Sequence, residues 1–222
     1  MTAQDTDARR AEPEAGSRVA VALEILAGHR PGDWLVDLGC GPGPLLLRCQ
    51  GKRLGIDRSH EALRRLAEAA PEVPRARTDL DPGRLPIASA TVGTCVMLDA
   101  IPYLESPRDF LSEVARVLAP GGRLIVSVPN ARQVTRLLGL AAGHPPSLSI
   151  LESPYAAGQR HLFTDRSLRE LLETTGFVCE TLRGLLPVPP GSTVRTLLSR
   201  MARGGIGRAF LAPGVLAVGR RR

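Results

Sequence analysis

The stretch Asp37-Leu38-Gly39-Cys40-Gly41-Pro42-Gly43 directly follows the apolar run Trp34 to Val36, and it restricts the possible folds more than any other feature of the chain. A short apolar run that ends in clustered glycines reads as a buried strand running into a loop. Gly39, Gly41 and Gly43 can adopt positive φ and let bare main chain approach a ligand closely. A helix is expected to open just after the loop and offer its free N–H groups to that ligand. Glycines at a strand end also make simple tight turns, so the loop alone leaves both readings open. Its spacing is GxGxG. Dinucleotide-binding folds use GxGxxG, whose last glycine lets helix and strand pack beneath a pyrophosphate, so an NAD-binding enzyme is the least favoured choice.

Downstream, the apolar runs WLVDL, RLGID, VGTCVMLD and RLIVSV are separated by helical segments around Glu61 to Ala70 and Phe110 to Leu118. Alternation of this kind predicts an α/β fold, a parallel sheet covered by helices on both faces. Upstream, Ser17 caps a helix with Val19, Ala22, Leu23, Ile25 and Leu26 at helical spacing, ending near Gly28 and expected to cover one edge of the sheet. Residues 1–16 carry charges of both signs and no apolar stretch, which reads as a disordered tail before a single domain over 17–222. Two excursions interrupt the pattern and are read as lid segments, 131–160 and 187–212; the first contains an amphipathic piece from Val134 to Ala141. Between them lie a helix, DRSLRELLETTGF, with Thr164 or Asp165 as cap and Gly176 as stop, and a strand from Phe177 to Leu185. The run GVLAVG returns to the sheet as a final strand.

Asp57 stands at the end of the second apolar run, twenty positions after Asp37. A carboxylate there can accept hydrogen bonds from both hydroxyls of a ribose, or cap a helix starting at Ser59. Together with Thr78-Asp79-Leu80, Leu98-Asp99-Ala100-Ile101 and FLSEVARVLAPGGRLIVSVPN, the loop and Asp57 resemble, in order, the motifs of class I S-adenosylmethionine-dependent methyltransferases of the small-molecule type. The resemblance spans about Trp34 to Gly176. It implies a Rossmann-like seven-stranded, mostly parallel sheet with helices on both faces and a lid. It also implies S-adenosyl-L-methionine as cofactor, held by Asp37, Gly39, Cys40, Gly41, Gly43, Asp57, Arg58, Asp79, Leu80 and Leu98. Val92-Gly93 replaces the Phe-Asp that relatives often carry before the fourth strand. Pro102-Tyr103 stands where many relatives have a polar pair such as Glu-His, which puts in doubt any catalytic role carried over from that histidine. His161, Tyr103 and Asp99 remain as candidate catalytic residues; His161 reads more readily as a loop anchor and Tyr103 as a pocket wall.

Charge and composition bear on the acceptor. From Arg183 to Arg222 there are eight arginines and no Asp or Glu, within a net charge of +7. Such asymmetry can dock nucleic acid, anionic lipid or acidic substrates. However, Lys52 is the single lysine in a chain rich in Ala, Gly, Pro and Arg, so a coding bias with solvated arginines is the reading adopted. The segment Thr193 to Met201 places Val194, Leu197, Leu198 and Met201 at helical spacing, so it is expected to cover the acceptor pocket with Arg195, Arg200 and Arg203 toward water or the rim. Aromatic residues make up 3% of the chain, which counts against RNA. The expected partner is therefore a small-molecule acceptor, with oligomeric state left open. An RNA or lipid-headgroup methyltransferase and a non-catalytic cofactor-binding protein are the alternatives. Cys40, Cys49, Cys95 and Cys179 form no CxxC pair, so reduced thiols and no metal are expected. No run reaches the roughly 18 apolar residues of a membrane span, and no secretion signal is evident, so a cytoplasmic location is expected.

Overall fold

The computed structural model describes residues 14–30, 32–81, 84–144, 158–187 and 204–222. Most of the expected N-terminal tail lies outside them, as does the Thr193 to Met201 segment with Arg195, Arg200 and Arg203.

Local chemistry sets the helix starts. Ser17 accepts a hydrogen bond from the Ala20 N–H at 3.3 Å and opens α1, Arg18–Leu26. Ser59 does the same for Ala62 at α2, His60–Ala69. Ser106 caps α3, Pro107–Val117, and Pro107 sits in the first turn, where a missing N–H costs nothing. Helix α4 spans Val134–Ala141. In α5, Asp165–Thr174, Thr164 and Ser167 form a reciprocal capping box. Helix α6 is short, Gly205–Phe210.

The strands are β1 Trp34–Leu38, β2 Arg53–Asp57, β3 Arg75–Arg77, β4 Val92–Leu98, β5 Leu118–Pro129, β6 Phe177–Leu185 and β7 Gly214–Arg221. They form one seven-stranded sheet in the order β3-β2-β1-β4-β5-β7-β6. All neighbours are parallel except β7, which runs antiparallel to both β5 and β6. Strand alternation splits the core into two layers. Val36, Met97, Val126 and Ala217 pack with α3 and α5 residues such as Leu111, Val114, Leu168 and Leu172. Their sequence neighbours Leu35, Val96, Ile125 and Leu216 pack with Val21, Ala22, Leu63 and Leu66 on the other side.

Two expectations need correction. Helix α1 covers a face of the sheet, not an edge, because its buried Val21 and Ala22 meet the alternate residues of the central strands. No α-helix follows the glycine loop; there is only a 3-10 turn over Leu46–Arg48. Pro44 and Gly51 leave too few residues between them to repay helix nucleation.

Strand order reverses direction between β1 and β4, which places a crevice at the carboxyl ends of β1, β2 and β4. The glycine loop, Asp57 and Asp99 all lie along it.

Candidate functional site

The loop glycines do different things. Gly39 and Gly43 both have φ of +78°, and a Cβ would lie 2.9 Å from the Ala100 Cβ at Gly39 and 2.5 Å from Leu66 Cδ1 at Gly43. Packing and backbone conformation both demand glycine at those two positions. Gly41 has φ of +54°, and no atom lies within 4 Å of the point where a Cβ would stand, so the main chain there borders open space.

Asp57 braces the loop. Its Oδ2 accepts the Gly41 N–H at 2.8 Å and its Oδ1 accepts the Ser59 N–H at 2.8 Å. The helix cap itself is Ser59. Each carboxylate oxygen retains acceptor capacity toward the crevice.

A cavity of about 420 Å³ opens over this brace. Of the sequence-identified residues, Gly39, Asp57, Arg58, Asp79, Leu80 and Leu98 line it. Ala100, from the Leu98-Asp99-Ala100-Ile101 motif, lines it too, as do Asp81, Leu104, Glu105 and Arg160, which nothing in the sequence pattern singled out. Asp37, Cys40, Gly41 and Gly43 are not among the lining residues; the buried Asp37 and Cys40 lie behind the wall. Burial, then the nearby Asp57, pushes the Asp37 carboxyl up to about 7. Burial raises the Cys40 thiol far above its ordinary range, with Asp37 and Asp57 adding to the effect, so Cys40 is a small buried residue and not a nucleophile.

A second cavity, of about 510 Å³, adjoins the first. Leu98, Asp99 and Tyr103 line both. Asp99 has φ of +57°, a conformation few non-glycine residues hold without support. The support is visible: the Asp99 N–H donates to the Ser127 carbonyl at 3.1 Å, and the Ser127 hydroxyl donates to Asp99 Oδ1 at 2.6 Å. On the other side, Arg18 Nη1 lies 3.0 Å from Asp99 Oδ2. Tyr103 accepts a hydrogen bond at its hydroxyl from Gln159 Nε2 at 3.2 Å. Arg136, from α4, donates through Nη1 to the carbonyls of Asn130 at 2.6 Å and Pro213 at 3.0 Å. Burial pulls its guanidinium below the ordinary arginine range, and Asp99 acts in the opposite direction.

Sequence reasoning missed Arg18, Ser127, Arg136 and Gln159. They come from α1, β5, α4 and the approach to α5, and only the sheet order brings them together. The one local signal was Ser17, read as a cap, beside Arg18. His161 lines neither cavity. Its backbone N–H is tied to the Pro102 carbonyl at 3.2 Å, and its ring sits 6.3 Å from that of Phe163. Its Nε2 is buried with no hydrogen-bond partner among the described residues.

Comparison with known proteins bears on the fold and the family it resembles. The family model described as "Methyltransferase domain" matches residues 36–126. A protein of Mycolicibacterium smegmatis described as a "probable S-adenosylmethionine-dependent methyltransferase" is 28% identical over 171 residues, covering 76% of this chain and 61% of that one. The trans-aconitate 2-methyltransferase of Azoarcus sp. is 34% identical over 123 residues, 52% of this chain and 47% of that protein. The chain thus spans less than two thirds of the length of these curated relatives. Among solved structures, an S-adenosylmethionine-dependent methyltransferase from Mesorhizobium loti superposes with a TM-score of 0.67 at 24% identity, covering 93% of this chain and 99% of that one. The geranyl diphosphate C-methyltransferase of Streptomyces coelicolor A3(2) has a TM-score of 0.62 at 20% identity, covering 92% of this chain and 78% of that one. Residues 36–126 thus match a methyltransferase domain, and the fold of the chain is similar to that of S-adenosylmethionine-dependent methyltransferases.

Proposed function

We propose that the protein transfers a methyl group from S-adenosylmethionine to a small-molecule acceptor bound in the larger cavity. The observation that carries this reading is the pair of adjoining cavities with Leu98, Asp99 and Tyr103 as common wall. The smaller cavity fits the cofactor. Bare main chain at Gly41 borders open space, Asp57 offers acceptor oxygens for ribose hydroxyls, and Leu80 and Leu98 supply apolar wall for the base and its linker. Asp79 and Arg58 would flank the adenine. When bound, S-adenosylmethionine supplies a sulfonium methyl that is already strongly electrophilic.

The work left to the protein is placement. In-line orientation of a nucleophile can supply about 7–11 kcal/mol of the acceleration in well-aligned cases. Tyr103 and Asp99 stand where acceptor and cofactor would meet, Tyr103 oriented by Gln159 and Asp99 held by Ser127 and Arg18. Either could orient an acceptor hydroxyl or amine. The small-molecule class is supported by the relatives whose names print small substrates, trans-aconitate and geranyl diphosphate. It is also supported by the arginines from Arg183 onward, several of which serve internal contacts. Arg183 meets Glu24 at 3.3 Å, Arg208 meets Asp165 at 3.1 Å, Arg220 meets Glu180 at 2.7 Å, and Arg221 donates to the Leu118 carbonyl. Among the described residues, no helix is long and apolar enough to cross a membrane.

The test has two steps. Calorimetry should detect S-adenosylmethionine and S-adenosylhomocysteine; if neither binds at millimolar concentration while NAD does, the reading fails. Methyl-labelled cofactor incubated with fractionated lysate should then leave its label in the metabolite fraction. Label confined to RNA, lipid or protein would move the acceptor to that class.

A further inference from the structure

The two cavities differ in the charge of their walls. Five acids, Asp57, Asp79, Asp81, Asp99 and Glu105, line the cofactor side with two arginines, Arg58 and Arg160. On the acceptor side, the described ionisable lining residues, apart from the shared Tyr103, are Arg18, Arg136 and Asp99. We propose that the larger cavity takes a small anionic molecule whose carboxylate or phosphate is bound by Arg18 and Arg136. This rests on reading that cavity as the acceptor site.

Guanidinium groups are planar, permanently charged forks that match carboxylate and phosphate oxygens, and two of them on one cavity wall make a strong anion selector. Their mounting differs in a useful way. Arg136 is fixed, because its Nη1 is fastened to the carbonyls of Asn130 and Pro213 and its side chain is partly buried. Arg18 is adjustable: it stands in the first turn of α1 with its side chain 54% exposed, and its partner Asp99 is shared with the cofactor side. An incoming anion would draw Arg18 from Asp99 and be gripped between the two arginines. Among the described lining residues, a cationic acceptor would meet both arginines and a single acid that is already paired. Gln159 adds a polar contact, since its Oε1 is buried with no hydrogen-bond partner among the described residues while its Nε2 serves Tyr103. That oxygen suits a hydroxyl or N–H on the same molecule, close to the wall where transfer would occur.

The experiment is calorimetry on the full chain with S-adenosylhomocysteine first, then with malate, glycerol 3-phosphate and the uncharged malamide, each with and without S-adenosylhomocysteine. Malate or glycerol 3-phosphate should bind at least about tenfold more tightly than malamide, the loss expected when a charge-assisted contact goes. Preference between the two anions identifies carboxylate or phosphate as the recognised group. Arg18→Gln and Arg136→Gln should each weaken the preferred anion by about tenfold or more. Should Arg136→Gln fail to fold, because it also releases two backbone carbonyls, Arg18→Gln carries the test and Arg136→Lys replaces the second arm, with weaker anion binding expected. The proposal is overturned if neither anion binds, if malamide binds as well as they do, or if folded Arg18→Gln keeps full anion affinity. Anion binding without S-adenosylhomocysteine binding would sink the cofactor reading alone; the converse would sink this proposal alone.

Discussion

Asp57 holds the glycine loop by one carboxylate oxygen and the start of α2 by the other, so its replacement tests the site and the brace together. Asp57→Ala should weaken cofactor binding by about 1.5–3 kcal/mol for each charged hydrogen bond lost to ribose. Calorimetry on the folded variant checks this, and unchanged affinity would show that the carboxylate serves only as the brace. Asp37 offers a test in pH. Its folded pKa, raised by burial and Asp57 to about 7, lies above the unfolded value of 3.8, so the folded state binds the proton more tightly. The stability this provides is fully present below pH of about 4 and is lost as pH rises through about 7. Asp37→Asn should therefore gain stability relative to the parent as pH rises across that window and hold the gain above it, read from denaturant midpoints at several pH values. A difference that is flat in pH would contradict it. At Asp99, the left-handed backbone selects the side chain: Asp99→Asn should fold normally, whereas Asp99→Val should lose about 1–3 kcal/mol in chemical denaturation.

Elements are fixed to one another by a few polar fasteners that the sequence pattern did not disclose. Arg116 on α3 donates to Glu113, to the Ser89 hydroxyl at 2.8 Å and to the Ile87 carbonyl at 2.9 Å, while Glu113 accepts the Leu85 N–H at 2.8 Å. The loop before β4 is thereby stitched to α3, and Arg116 holds the Glu113 carboxyl below the usual glutamate range. Arg116→Ala should cost about 1–3 kcal/mol in thermal or denaturant unfolding, since it leaves partly buried acceptors without their donor. The glycine loop, Asp57 and the Ser17 and Thr164 caps were legible because each rests on residues close in sequence. Asn130 was not. Its fully buried side-chain amide donates to the carbonyls of Ala209 at 3.0 Å and Ala212 at 2.9 Å, contacts about eighty positions away that close the end of α6. Arg18 and Arg136 escaped notice for the same reason, since helix periodicity says which face is apolar and not which cavity a polar end will meet. The missing helix after the loop was a different failure, in which the glycine signal outweighed the brevity of the segment between Pro44 and Gly51.

Across the molecule, apolar alternation was enough to reveal an α/β sheet, because every central strand feeds both core layers. The position of the last strand was not so accessible from local pattern. β7 lies between β5 and β6, and β6 joins the sheet only through it. During synthesis the strand that emerges earlier must wait for the later one, and β5 keeps an unpaired edge until residues 214–221 have left the ribosome. An open hydrophobic edge of that kind recruits other chains. The protein therefore has a window of vulnerability during its own translation, when most of its core residues already exist and the strand that would seal the sheet does not.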